Sequence, residues 1–325
     1  MSRDVRNREP GSREPGSGEP GSREPRSRVP VGREPASRET LRRVWRGLLV
    51  SVRDAAEAQD ARAGGAAIID VKDPGAGPLG AASVDEAARI AMAVAGSLPL
   101  TLACGELRAG AGAVVQHLRD VAEAIVEARS HAGRSAETSE VPMSGISAAG
   151  IPTSGLHGFE MRTPAAVKAG PAGLDLAGWQ RAYEALVALM PTGVTAVAVA
   201  YADWQACAAP PPERLIDAAA DLGCGVLLLD TFGKAGGGVF ACLPDETRAW
   251  IGRARAAGMQ VAVAGGVEPH QVAAAVAAGA DVVAVRTAAC DGGRQGRVNR
   301  ERVATLARAF AAADRGCAAG GCGTN

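Results

Sequence analysis

From Leu48 onward the chain repeats one alternation: a short apolar run, then an Ala-rich amphipathic stretch, then the next apolar run. Nothing else in the sequence restricts the fold as strongly, because apolar runs separated by helical segments are the pattern of βα units around a parallel sheet. The runs predict strands at 48–52, 66–72, 98–104, 165–170, 195–202, 225–231, 260–265 and 281–286. Helices are predicted at 54–63, 84–95, 114–129, 179–190, 213–222, 245–257, 269–278 and 299–312. Several helical stretches end on a glycine just before the next run (Gly65, Gly223, Gly258, Gly279), where a left-handed C-cap is expected. Eight such units favour an α/β fold of the closed (β/α)8 TIM-barrel type, which takes roughly 250 residues. An open doubly wound sheet is the architectural alternative. With aromatics at only 3%, the core has to be built from Ala, Val, Leu and Ile.

The barrel is expected over residues 43–314, between two flanking segments. Residues 1–42 repeat a five-residue unit, as in Gly11-Ser12-Arg13-Glu14-Pro15, and hold too few apolar groups to offset the entropy of ordering, so a disordered tail is expected. A solvating extension, an interaction tail and translated sequence upstream of the true start all fit it. Residues 315–325, with Cys317 and Cys322 among glycines, are expected to fray. Inside the barrel, about 130–162 is rich in Ser, Gly, Thr and Pro and reads as an inserted loop between the third helix and the fourth strand.

The formal net charge is zero and the charges are interspersed, so no nucleic-acid partner is expected. Apolar runs are too short for a membrane span. Seven scattered cysteines without a C-x-x-C pair, and no apolar signal segment, point to the reducing cytoplasm. The four histidines lack ligand spacing, so neither a metal nor a cofactor is expected. A small-molecule substrate is the expected partner, and assembly into a homo-oligomer stays open.

Lysine usage localises the chemistry. Of 35 basic side chains only Lys72, Lys168 and Lys234 are lysines, and the rest are Arg. A primary amine can be deprotonated by its surroundings and act as a nucleophile, which a guanidinium does not do, so the surviving lysines mark positions where charge alone is insufficient. Lys72 closes the second apolar run, Lys168 lies in the fourth, and Asp230 and Lys234 lie at and just beyond the end of the sixth. In a barrel these converge on the mouth formed by the C-terminal strand ends. Asp70 is two residues from Lys72 and shares its face, so its carboxylate is placed to orient the amine. The constellation predicts a Schiff base on Lys72, with Asp230 moving protons and Lys234 holding phosphate or donating a proton. A buried Asp–Lys network that only ties strands together is the bland alternative.

Loops after the seventh and eighth strands are the recurrent phosphate site of this architecture. Gly265 and Gly266 are expected to give close backbone approach there, with Arg286 as a bidentate clamp and Thr287 beside it. The competing explanation for the glycines is a tight turn. Asp203, after the fifth strand, is a further polar candidate at the mouth.

These residues resemble the (5-formylfuran-3-yl)methyl phosphate synthase family of methanofuran-type cofactor biosynthesis. The likeness rests on Leu49-Val50-Ser51, Ile68-Ile69-Asp70-Val71-Lys72-Asp73-Pro74, Pro78-Leu79-Gly80-Ala81, Ala200-Tyr201-Ala202-Asp203, Leu229-Asp230-Thr231 with Lys234, Ala264-Gly265-Gly266, and Val285-Arg286 with Ala288-Ala289-Cys290. It extends over roughly 48–310. The resemblance implies a barrel lyase that condenses two molecules of glyceraldehyde 3-phosphate to a phosphorylated furan aldehyde, with loss of phosphate and water. It further implies Lys72 as the Schiff-base lysine, Asp230 and Lys234 as the acid/base pair and Lys168 as an auxiliary amine. The segment around 130–162 and Pro171-Ala172-Gly173 depart from the family pattern. A class I aldolase acting on another phosphorylated sugar, and a non-catalytic phosphate-metabolite-binding regulator, are the rival expectations.

Overall fold

A computed structural model describes residues 45–94, 96–137, 164–233 and 238–319. Eight parallel strands close into a barrel in sequential order. They are β1 (Gly47–Val52), β2 (Ile68–Val71), β3 (Leu100–Glu106), β4 (Ala166–Gly170), β5 (Thr195–Tyr201), β6 (Val226–Asp230), β7 (Gln260–Val263) and β8 (Val282–Val285). The principal helices are α1 (Ala55–Ala63), α2 (Val84–Val94), α3 (Ala111–Glu137), α4 (Leu176–Leu189), α5 (Pro212–Asp221), α6 (Pro244–Ala256), α7 (Val272–Ala277) and α8 (Arg300–Ala319). After β8 the chain makes a small hairpin, in which β9 (Cys290–Asp291) pairs antiparallel with β10 (Arg297–Val298). All eight predicted strands form, and closure removes the open-sheet alternative.

The two faces of each strand belong to different apolar layers. Leu48, Val50 and Val52 of β1, with Ile69 and Val71 of β2, pack outward against buried residues of the helices such as Ile90, Leu118 and Ile251. Leu49, Ile68, Val197, Leu228, Ala262 and Ala284 point inward and fill the barrel. This separation follows from the two-residue period of a strand. Small inward residues explain how so few aromatics suffice: the interior of an eight-stranded barrel is only wide enough for side chains to fill.

Two boundaries differ from expectation. Helix α3 continues to Glu137, into the stretch predicted as loop from 130, and α8 runs to Ala319 through residues predicted to fray. In α8, Ala313 and Cys317 pack against the outer core, and alanine and arginine extend an already nucleated helix at little cost. The repeat tail, the remainder of the insertion (138–163) and the last six residues lie outside the described residues. Among the described residues, no helix is long and apolar enough to cross a membrane.

Candidate active site at the mouth of the barrel

The inward rows turn from aliphatic to polar as the strands approach their C-terminal ends. Ser51, Asp70 and Thr101 are neighbours across β1, β2 and β3 in strict register, and Thr101 is followed across the sheet by Ala166 of β4. Lys168, two residues further on, shares the inward face of Ala166. The result is a buried cluster centred on Asp70. Thr101 Oγ1 donates to Asp70 Oδ1 at 2.6 Å, Ser51 Oγ donates to Oδ2 at 2.9 Å, and Lys168 Nζ lies 2.5 Å from Oδ1. Three neighbouring strands thus fix one carboxylate, and that carboxylate fixes the lysine.

Lys72 follows β2 directly, its backbone N–H donating to Val52 O at 3.1 Å, and its side chain is buried. Asp230 ends β6, and its Oδ1 accepts from the Thr231 amide at 2.7 Å. Lys72, Asp70, Lys168 and Asp230 all line one cavity, which with its open mouth encloses about 870 Å³. The convergence expected from strand position is therefore present for these four. Lys234 lies outside the described residues, though Gly233 and Gly238 on either side of that segment both face the cavity.

Of the expected phosphate-site residues, Gly265, Gly266 and Thr287 line the same cavity. Gly265 has a positive φ of +75°, and a Cβ there would come within 2.8 Å of the Thr231 amide nitrogen. The turn explanation therefore holds for Gly265, and it brings the loops after β6 and β7 together beside the cavity. Arg286 needs correction. Its side chain borders the cavity, but its Nε donates to Arg294 O, Nη1 to Ser51 O and Glu57 Oε2, and Nη2 to Glu57 Oε1 and Gly296 O. All five N–H groups of the guanidinium have protein acceptors, leaving none for a phosphate, so it holds structure together instead of clamping a ligand. Asp203 is not on the cavity wall; its carboxylate accepts from the amides of Phe232 and Gly233 at 2.6 and 2.7 Å and so shapes the loop after β6.

Six residues of consequence were not singled out by sequence reasoning. Ser51 and Thr101 support Asp70; a signal existed, since both are polar residues at inward positions of otherwise aliphatic strands. Glu57, fully buried in α1, is the partner of Arg286. Burial alone would raise its pKa, yet hydrogen bonds from Arg286 and Arg53 hold it below the ordinary carboxylate value. Arg294 lines the cavity and donates from Nη2 to Gly77 O at 3.0 Å. Burial lowers its pKa, against the opposing attraction of Asp230. Glu106, at the end of β3, accepts from Tyr201 Oη at 2.8 Å and from the Ala172 amide at 3.1 Å. Burial outweighs those hydrogen bonds and raises its pKa. Cys104, next to Lys168 across the sheet, has its thiol pushed up to about 12 by burial. Among the described residues no group of three or more His, Cys, Asp and Glu is arranged to hold a metal ion.

Comparison with known proteins assigns the chain to a family. The family model described as 4-HFC-P synthase matches residues 48–129 and 121–307. The (5-formylfuran-3-yl)methyl phosphate synthase of Methanocaldococcus jannaschii is 30% identical over 276 residues, covering 80% of this chain and 97% of the relative. Its counterpart in Methanopyrus kandleri is 29% identical over 269 residues, with 81% and 98% covered. Among solved structures, phosphoribosyl anthranilate isomerase of Thermus thermophilus superposes with a TM-score of 0.49 at 14% identity, over 82% of this chain and 98% of that one. Both the matched span and the near-complete coverage of the archaeal relatives place the barrel, from its first strand to its last helix, within a single known family. The chain belongs to the (5-formylfuran-3-yl)methyl phosphate synthase family.

Proposed function

We propose that the chain makes (5-formylfuran-3-yl)methyl phosphate from two molecules of glyceraldehyde 3-phosphate through a Schiff base on Lys72, as a carbon–oxygen lyase serving methanofuran-type cofactor synthesis. The observation that carries this reading is the meeting of Lys72, Lys168, Asp70 and Asp230 on one cavity wall in a chain of this family. A buried amine among other cations is biased toward its neutral, nucleophilic form. Attack on the aldehyde releases water and leaves an imine on Lys72. Removal of the adjacent carbon-bound proton then gives an enamine, the nucleophile that joins the second triose. Asp230 at the end of β6, with Lys234 beyond it, serves as the acid/base pair, and Lys168, anchored by Asp70, is the auxiliary amine. Ring closure eliminates one phosphate and two waters, and hydrolysis of the imine, consuming the water released when it formed, frees Lys72, so that two triose phosphates give the furan product, one phosphate and two waters. Gly265, Gly266 and Thr287 lie where the reacting triose would carry its phosphate.

The test is reductive trapping. Incubation with glyceraldehyde 3-phosphate and borohydride, followed by peptide mapping, is expected to give an adduct on Lys72, and ultraviolet absorbance of a furan aldehyde is expected in the unreduced reaction. An adduct without furan absorbance would instead identify an aldolase, and binding without any adduct a regulator. Lys72→Arg is expected to lower turnover by about a thousandfold or more with an unchanged far-ultraviolet circular dichroism spectrum, since charge is kept and the nucleophile is lost. Normal turnover in that variant would overturn the Schiff-base assignment.

A further inference from the structure

We infer that the cation binding a substrate phosphate at this mouth is Arg294, delivered by the β9–β10 hairpin that Arg286 holds in place; this rests on the phosphorylated-triose reading above. The hairpin tip is a single turn, Gly293–Gln295, and Gly296 closes it so tightly that a Cβ there would lie 1.5 Å from Asp291 O. Three successive carbonyls of the tip are held by guanidinium groups. Arg286 Nε donates to Arg294 O at 3.1 Å, Arg53 Nη1 to Gln295 O at 2.9 Å, and Arg286 Nη2 to Gly296 O at 2.7 Å. Glu57 binds both guanidiniums, and is wholly buried. At the base, Asn299 and Arg302 of the final helix region both donate to Asp291. A two-residue ladder would not by itself hold such a loop. The network around it holds it instead, and fixes the backbone from which the Arg294 side chain reaches across to Gly77, after β2.

That side chain is left in an unusual position. It is half-buried on the cavity wall, and the one hydrogen bond described for it goes to a carbonyl. Among the described residues no carboxylate lies within ion-pair distance of it, Asp230 attracting it only from farther across the cavity, whereas Lys168 has Asp70 and Arg286 has Glu57. A desolvated guanidinium is costly to hold without an anion. An incoming phosphate meets that need and accepts two parallel N–H bonds from the planar fork. The neighbouring turn that begins at Thr287 packs against the hairpin tip, and Thr287 lines the same cavity as Arg294.

The full-length protein is compared with R294A and R294K in two measurements. In borohydride trapping at Lys72, the half-saturating concentration of glyceraldehyde 3-phosphate is expected to rise about tenfold or more in R294A. Trapping of unphosphorylated glyceraldehyde is expected to be unchanged, and R294K to recover part of the loss. In thermal unfolding, inorganic phosphate is expected to raise the midpoint of the wild type and to lose most of that effect in R294A. Equal half-saturation for the phosphorylated triose in wild type and R294A overturns the inference, as does a phosphate-dependent midpoint that R294A retains or the wild type lacks. A wild type that forms no adduct on Lys72, yet shows phosphate stabilisation dependent on Arg294, overturns the Schiff-base reading and leaves the arginine assignment standing.

Discussion

Lys168–Asp70 and Arg286–Glu57 are both nearly sealed from solvent and both close to 2.5 Å, yet they sit in different surroundings. The first lies inside the barrel, facing the cavity; the second joins the end of β8 to α1 through the barrel wall. In the second, every guanidinium N–H has a protein acceptor, and Arg53 adds a further donor to Glu57. In the first, Asp70 is the side-chain acceptor described for a three-donor ammonium. Burial and charge are therefore common to the pair that faces the cavity and the pair that joins strand to helix. What separates them is whether the hydrogen-bonding capacity is exhausted within the protein or remains turned toward the space where a substrate fits.

If that contrast is correct, mutating the two pairs should damage different properties. Lys168→Met is expected to lower turnover by about a hundred- to ten-thousandfold, the usual contribution of a positioned proton-transfer group. Its effect on unfolding free energy should be the smaller one, because Asp70 keeps the Ser51 and Thr101 hydroxyls. A steady-state assay with urea denaturation checks both; a variant that is mainly unstable would make this pair structural too. Glu57→Gln is expected to do the reverse. Leaving Arg286 buried without its anion should cost about 3–5 kcal/mol in chemical denaturation. Any loss of activity would then come through the displaced hairpin and should be recovered at high substrate concentration.

The smallest expected effect sharpens the contrast by sign. Glu57 has a folded pKa below the ordinary value of 4.5, so its contribution is fully present above that value and fades as pH falls through the folded pKa. Glu106 has a folded pKa above 4.5, so its contribution is present below that value and fades as pH rises through the folded pKa. Urea midpoints measured from about pH 3 to 7 should accordingly show Glu57→Gln flattening the acid-side loss of stability. Glu106→Gln should gain on the wild type toward neutrality. Slopes of the same sign in the two variants would contradict the assigned environments.

The sequence by itself determined the barrel and the strand ends on which Lys72, Lys168 and Asp230 stand. Strand period and the eightfold alternation are local patterns, and closure then places every strand's C-terminal end at one mouth. Only the tertiary structure decided which charges pair. Lys168 meets Asp70 across 98 residues, and Arg286 meets Glu57 across 229. Such pairings depend on the stagger of the strands, the course of each loop and how far a side chain reaches, and none of these leaves a periodic trace in the chain. The same holds for Arg294: nothing around Gly292-Gly293-Arg294-Gln295-Gly296 distinguishes it from any other arginine in a glycine-rich turn until the hairpin is folded back over the cavity.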